Sequence, residues 1–114
     1  MQRLSRLKRK ADFDRVMSAG GRVTAREFVL YHAARDDPGA PRVGFSVSRR
    51  VGNAVTRNRA RRLLREAVRR LIPRLVVCDM VVVARPEIVR TGLQDLESGL
   101  NDAVVRAGLI RSDA

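Results

Sequence analysis

The segment LVVCDMVVVA, residues 75–84, is apolar and β-branched almost without a break. A strand with apolar side chains on both sides must be covered on both faces, so this one predicts a central strand with other structure packed above and below its sheet. Asp79 is the exception inside it, and the sequence by itself offers no reason for a carboxylate there. With 114 residues, 45% of them apolar, the chain has enough material for one packed domain spanning 1–114 and no room for a second core.

The other elements follow from periodicity and turn chemistry. Residues 10–19, KADFDRVMSA, predict a short helix with Phe13, Val16 and Met17 on one face, ended by Gly20-Gly21. REFVLYHA (26–33) alternates as a strand, with Phe28, Leu30 and His32 on one side and Val29, Tyr31 and Ala33 on the other. Turn residues at 36–41, DDPGAP, predict that RVGFSVS (42–48) returns as its antiparallel partner. There Val43, Phe45 and Val47 face the core, while Gly44, Ser46 and Ser48 make the second face small and polar, with Tyr31 near them. A long helix is expected from Thr56 to Leu71, broken by Pro73. Thr91 is placed to cap a last helix with Leu93, Leu96, Leu100, Val104 and Ala107 on its core stripe. The expected fold class is α+β in the order α-β-β-α-β-α, helices on a roughly four-stranded sheet, with one more short strand allowed near Gly21–Thr24.

The net charge of +12 points to an anionic partner, nucleic acid before acidic membrane or acidic protein. Arginine supplies all the basic residues except Lys8 and Lys10, and genome composition alone can favour arginine over lysine. Composition does not explain the distribution, however. Residues 75–114 carry Arg85, Arg90, Arg106 and Arg111 against six acids, so the excess sits in the first two thirds of the chain. No apolar run is long enough to span a bilayer, no signal core follows the basic N-terminus, and the single cysteine, Cys78, suits a reducing compartment. A cytoplasmic location without membrane or protein partners is the expectation.

Charge is densest in NAVTRNRARRLLREAVRR, residues 53–70. At helical spacing Ala60, Leu63, Leu64, Ala67, Val68 and Leu71 fall on one side as a core stripe. Asn58, Arg61, Arg62, Arg65 and Arg69 lie opposite, flanked by Arg59, Glu66 and Arg70. Glu66 is the only acid on the helix, within reach of Arg62 or Arg70, and such exposed pairs contribute only about 0.2–0.5 kcal/mol each. The positive end of the helix dipole favours acids in the first turns, yet Arg57, Arg59, Arg61 and Arg62 occupy them, at a cost on the order of 1–2 kcal/mol. A phosphate chain removes that penalty, because helix-start N–H groups and guanidinium forks both bind anionic oxygens. Asn58 is suited either to touching RNA or to capping the helix start.

Protein-centred catalysis has little support. His32 and Cys78 both sit in strand patterns, and no spacing fits a metal site or a nucleophile–base pair. Asp12 and Asp14 are two apart on a helix and do not share a face. No catalytic and no metal-ligating residue is expected. A general RNA-binding protein of the ribosomal kind, using the arginine helix as a phosphate clamp, remains compatible with charge alone.

The stretch RVGFSVSRRVGNAVTRNRARRLLREAV also resembles the signature of the bacterial ribonuclease P protein subunit. That signature runs from a strand ending in Ser-Val-Ser through a basic pair and Gly-Asn-Ala-Val into Arg-Asn-Arg-x-Lys-Arg-x-x-Arg-Glu; Arg61 stands where lysine is commoner. Similarity continues through RLKRKADFDRVMSAGGR and REFVLYHA upstream and DMVVVARP downstream, nearly the whole chain. The resemblance implies a subunit that assists a large catalytic RNA in removing the 5′ leader of precursor tRNA. It implies no firmly bound cofactor, with Mg²⁺ held mostly by RNA, and a small α/β sandwich of the ribosomal protein S5 domain 2 kind with a left-handed β-α-β crossover. The helix bearing Arg57, Asn58, Arg59, Arg61, Arg62, Arg65 and Arg69 would face the catalytic RNA, with Lys8, Arg9, Lys10, Arg49 and Arg50 as auxiliary contacts. A cleft lined by Phe13, Met17, Val29, Tyr31, Ser46 and Ser48 would hold the leader. Single-stranded RNA is held in such basic grooves with aromatic faces for stacking. Taken alone, Phe13 and Met17 fit core packing better, and only the resemblance moves Phe13 into the cleft. Met17 departs from the family's frequent aromatic and would offer contact without stacking.

Overall fold

The computed structural model describes residues 5–35 and 39–111. Its elements in chain order are β1 (Ser5–Arg6), α1 (Lys10–Ala19), β2 (Gly21–Thr24), β3 (Phe28–Ala34), β4 (Arg42–Ser46), α2 (Ala54–Leu71), β5 (Cys78–Ala84) and α3 (Leu93–Arg106), with 3₁₀ turns at Ile72–Arg74 and Pro86–Arg90. The α+β class holds, and β2 falls where an additional strand was allowed. The two-residue β1 had no sequence signal and makes the sheet five-stranded.

Strand order is β1-β4-β5-β3-β2, which puts the apolar β5 at the centre. It pairs parallel with β4 and antiparallel with β3. The expected β3–β4 hairpin is therefore not formed, and part of its turn, 36–38, lies outside the described residues. The reason is burial: β5 is apolar on both faces and must be paired along both edges, so it inserts between two strands that each have one polar face. The unit β4-α2-β5 is then a parallel crossover carried by the arginine helix.

The helices cover the two faces unequally. α2 and α3 pack on Phe28, Leu30, Val43, Met80 and Val82, with Leu64, Val68, Leu96 and Leu100 fully buried between them. Helix α1 covers part of the other face, where Val16 packs with Leu7, Ala33 and Val81. Thr91 does not cap α3: its hydroxyl donates to the Glu87 carbonyl at 3.2 Å, and Gly92 holds the N-cap position without a side-chain bond. Thr91 is buried, and finishing the preceding 3₁₀ turn satisfies its hydroxyl where an outward-facing cap position would not.

Candidate nucleic-acid interface

Helix α2 begins two residues earlier than periodicity indicates because Asn53 caps it, its Oδ1 accepting from the Thr56 N–H at 2.9 Å. Asn58 is thus released from capping and accepts from Arg61 at 3.0 Å. No acid lies in the first turn. The core stripe is as expected, Ala60, Leu64, Ala67, Val68 and Leu71 being buried and Leu63 partly so. The arginines split into two rows. Arg57, Arg61 and Arg65, one turn apart, are half-buried along the side nearest β4, whereas Arg59, Arg62 and Arg69 are exposed. The Nε atoms of Arg57 and Arg65 are buried without a hydrogen-bond partner, and Arg61 reaches the Val47 carbonyl at 3.5 Å.

Glu66 pairs with Arg69 at 2.9 Å and Arg70 at 3.3 Å; of its two expected partners, Arg70 is therefore the one that pairs. The Arg69 hydrogen bond, helped by its charge and by Arg70, holds the Glu66 carboxyl below the usual range although partial desolvation opposes it. Arg70 also meets Glu97 on α3. The first three turns of α2 consequently carry arginines without an acid on their own helix turn, whereas Arg69 is partly neutralised.

The cleft residues also come together, on the face that α1 only partly covers. The Phe13 ring lies against Gly44, while Met17, one turn on, is 41% exposed. Strand register aligns Val29 with Val83 and Val83 with Ser46, a row left half-exposed beyond α1, with Tyr31 one step nearer the helix. Val83 joins this floor although sequence reading did not select it; its all-apolar surroundings mark it only as core. Ser48 lies past the end of β4, exposed in the turn into α2, where its hydroxyl accepts from the Arg50 N–H at 3.3 Å. Strand β4 stops short because Ser48, Arg49, Val51 and Gly52 close a turn through 3.1 and 3.2 Å backbone bonds. Arg49 and Arg50 are exposed in that turn, Lys8 and Arg9 are exposed before α1, and Lys10, the first residue of α1, is exposed and paired with Asp14 at 2.9 Å.

Arginine helix and cleft are one surface. A small cavity of about 110 Å³ at the β4 edge is lined by Phe13, Val43 and Phe45 together with Arg61 and Arg65. Strand β1 pairs with Arg42 and Val43, and among the described residues no strand pairs with the rest of this edge, between helix and cleft.

Asp79 finds its explanation here. It is fully buried on the α1 side of β5 and receives both forks of Arg42, Nε at 2.9 Å and Nη2 at 2.8 Å, together with Arg15 of α1. Arg35 adds its charge at 3.7 Å. Burial alone would push this carboxyl up, but the hydrogen bonds from Arg42 and Arg15 and their charges outweigh it and hold the pKa low. The pair ties α1, the wall of the cleft, to the centre of the sheet.

His32 and Cys78 both lie within the sheet. The His32 ring lies beneath Gly21, and burial lowers its pKa. Cys78 is buried, and burial with the adjacent Asp79 charge pushes its thiol to about 11. Among the described residues no group of three or more His, Cys, Asp or Glu is arranged to hold a metal ion.

Fold and surface together define a small α+β protein with an arginine-rich helix face beside a five-stranded sheet. The Ribonuclease P family model matches residues 1–108, and the chain belongs to that family: it is the protein component of ribonuclease P, an endoribonuclease that processes tRNA, and it partners the enzyme's RNA. The ribonuclease P protein component of Brevibacillus brevis is 40% identical over 112 residues, covering 97% of this chain and 89% of that protein. That of Streptococcus agalactiae serotype III is 36% identical over 96% of this chain and all of its own length. The structure of the Staphylococcus aureus RNase P protein superposes with a TM-score of 0.85 at 29% identity, over 96% of this chain and 100% of that one. The Thermotoga maritima protein gives 0.78 at 25% identity, over 90% and 96%.

Proposed function

We propose that the first three turns of α2 dock on the catalytic RNA through Arg57, Asn58, Arg59, Arg61, Arg62 and Arg65, with Arg69 in a lesser role. The cleft of Phe13, Met17, Val29, Tyr31, Val83 and Ser46 holds the single-stranded 5′ leader of precursor tRNA. Lys8, Arg9, Lys10, Arg49 and Arg50 add phosphate contacts at its rims, and Ser48 marks the junction. The observation that carries this reading is the cavity shared by Phe13, Arg61 and Arg65. A strand of RNA leaving the cleft at the β4 edge meets the arginine helix at once, so substrate and catalytic RNA are brought together there.

No protein side chain performs the chemistry. The protein acts by positioning, since a held leader converts an encounter between two RNAs into a local event. Mg²⁺ belongs with RNA phosphates; the guanidinium surface beside the cleft repels a divalent cation and offers it no donors. A cytoplasmic site of action fits the buried, reduced Cys78, and among the described residues no helix is long and apolar enough to cross a membrane.

The test adds the protein to a bacterial catalytic RNA at low Mg²⁺ and follows leader removal from precursor tRNA. Stimulation of cleavage is expected, and its absence rejects the proposal. Cleavage by the protein without RNA would contradict the assignment of chemistry to the RNA.

A further inference from the structure

We infer that the leader cleft continues across the sheet to the edge strand β2, where Arg22 supplies a cation for a leader phosphate. The inference rests on the cleft proposed above and extends it to an element outside the residues the resemblance selected. Register carries it. Arg22 is directly opposite Tyr31 and Thr24 directly opposite Val29, so each shares a face with its partner. That face is the α1 side, since Tyr31 packs with Val16, Ala33 and Val81. Two continuous rows result: Arg22, Tyr31, Val81 and Gly44 beneath Phe13, and beside it Thr24, Val29, Val83 and Ser46.

Arg22 and Thr24 are both exposed, and Arg22 has no ion pair or hydrogen bond among the described residues. Arg26, just beyond the strand, is paired with Glu27 at 3.8 Å. β2 ends the sheet, and among the described residues no strand pairs with its outer edge, which is where an added chain could lie. From β4 to β2 the path crosses three strand spacings, about 14 Å. Along it lie an aromatic ring on α1, a phenol on β3 and a guanidinium on β2, the order of stacking surfaces and cation that single-stranded RNA uses. Gly20 and Gly21 make this possible: the Gly20 backbone passes so close to the His32 carbonyl that a Cβ would lie 1.6 Å from it, and β2 starts directly off the end of α1.

The experiment measures binding of the reconstituted holoenzyme to precursor tRNAs with a short leader, with a long leader, and to mature tRNA, across a salt series. Arg22→Ala should weaken the long-leader substrate about fivefold at low salt and lower its slope of log affinity against log salt by about one. The short-leader and mature species should be unaffected, and Arg22→Lys should retain most of the affinity. An unchanged thermal midpoint for Arg22→Ala would show that the loss is not one of folding. No loss, or an equal loss on mature tRNA, overturns the inference. Tyr31→Ala in the same assay separates the two levels: leader-dependent loss for Tyr31→Ala without one for Arg22→Ala rejects only the extension to β2, while no leader dependence in either rejects the cleft itself.

Discussion

The Phe13 ring occupies the space that a side chain at position 44 would need: a Cβ on Gly44 would lie 2.4 Å from Phe13 Cζ. α1 can present its aromatic residue to the cleft floor at this depth only because β4 carries a glycine there. Gly44→Ala should push the ring outward, costing about 1–3 kcal/mol of stability as an overpacked contact. It should also lower affinity for leader-bearing precursor more than for mature tRNA. Thermal unfolding and paired binding assays check both effects, and equal affinities would detach the ring from the leader.

Asp79→Ala should destabilise by about 3 kcal/mol, the low end for breaking a buried ion pair, because Arg15 and Arg42 are 41% and 37% exposed and can turn to water. Asp79→Asn should lose less. The folded-state pKa of Asp79 lies below its ordinary 3.8, so its contribution is present above that value and disappears as pH falls through the folded pKa. Urea unfolding followed from neutral pH downward should show wild-type stability declining below about pH 4, with a flatter profile for Asp79→Asn.

Arg61→Ala and Arg65→Ala should each weaken binding to the catalytic RNA and reduce the salt slope by about one. Arg69→Ala should do less, because Glu66 already holds that guanidinium at 2.9 Å. Salt titrations of RNA affinity for the three variants test the ranking; equal slopes would mean that Glu66 releases Arg69 on binding.

Met17 is exposed on the cleft wall without the aromatic ring that the family often has there. Met17→Phe should therefore raise leader affinity, by up to about 1 kcal/mol from an added stacking face. The measurement is competition between long-leader precursor and mature tRNA. A gain on both substrates would place the new ring outside the cleft.

Cys78, with its thiol pushed to about 11, should resist alkylation in the folded protein at pH 8 and react on unfolding. Labelling rates across a denaturant series should follow the global transition. Fast labelling of the native protein would contradict its burial in β5.

Much of this was legible in the chain. The 3.6-residue rhythm of Arg57–Leu71 separates buried and basic faces without tertiary information, and the nearly all-apolar 75–84 run announces a central strand. Phe13 with Met17 and Tyr31 with Val29 could be assigned to faces from periodicity alone. The β3–β4 hairpin misled because turn chemistry at 36–41 speaks only for local geometry, whereas strand order is set by which strand must be covered on all sides. Asp79 was unreadable for the same reason: its partners Arg15, Arg35 and Arg42 come from three other segments. The true cap, Asn53, had the right chemistry but lay three residues ahead of the expected helix start at Thr56.

The sequence by itself determined the helices and the strands other than β1, the sign of the partner's charge and which side of α2 is basic, because helical and strand periodicities are local and charge is counted along the chain. Only the tertiary structure decided that β5 separates β3 from β4, that Arg61 and Arg65 share a cavity with Phe13, and that Arg22 stands beside Tyr31. Those are relations between segments, fixed by backbone pairing and burial that no local pattern records.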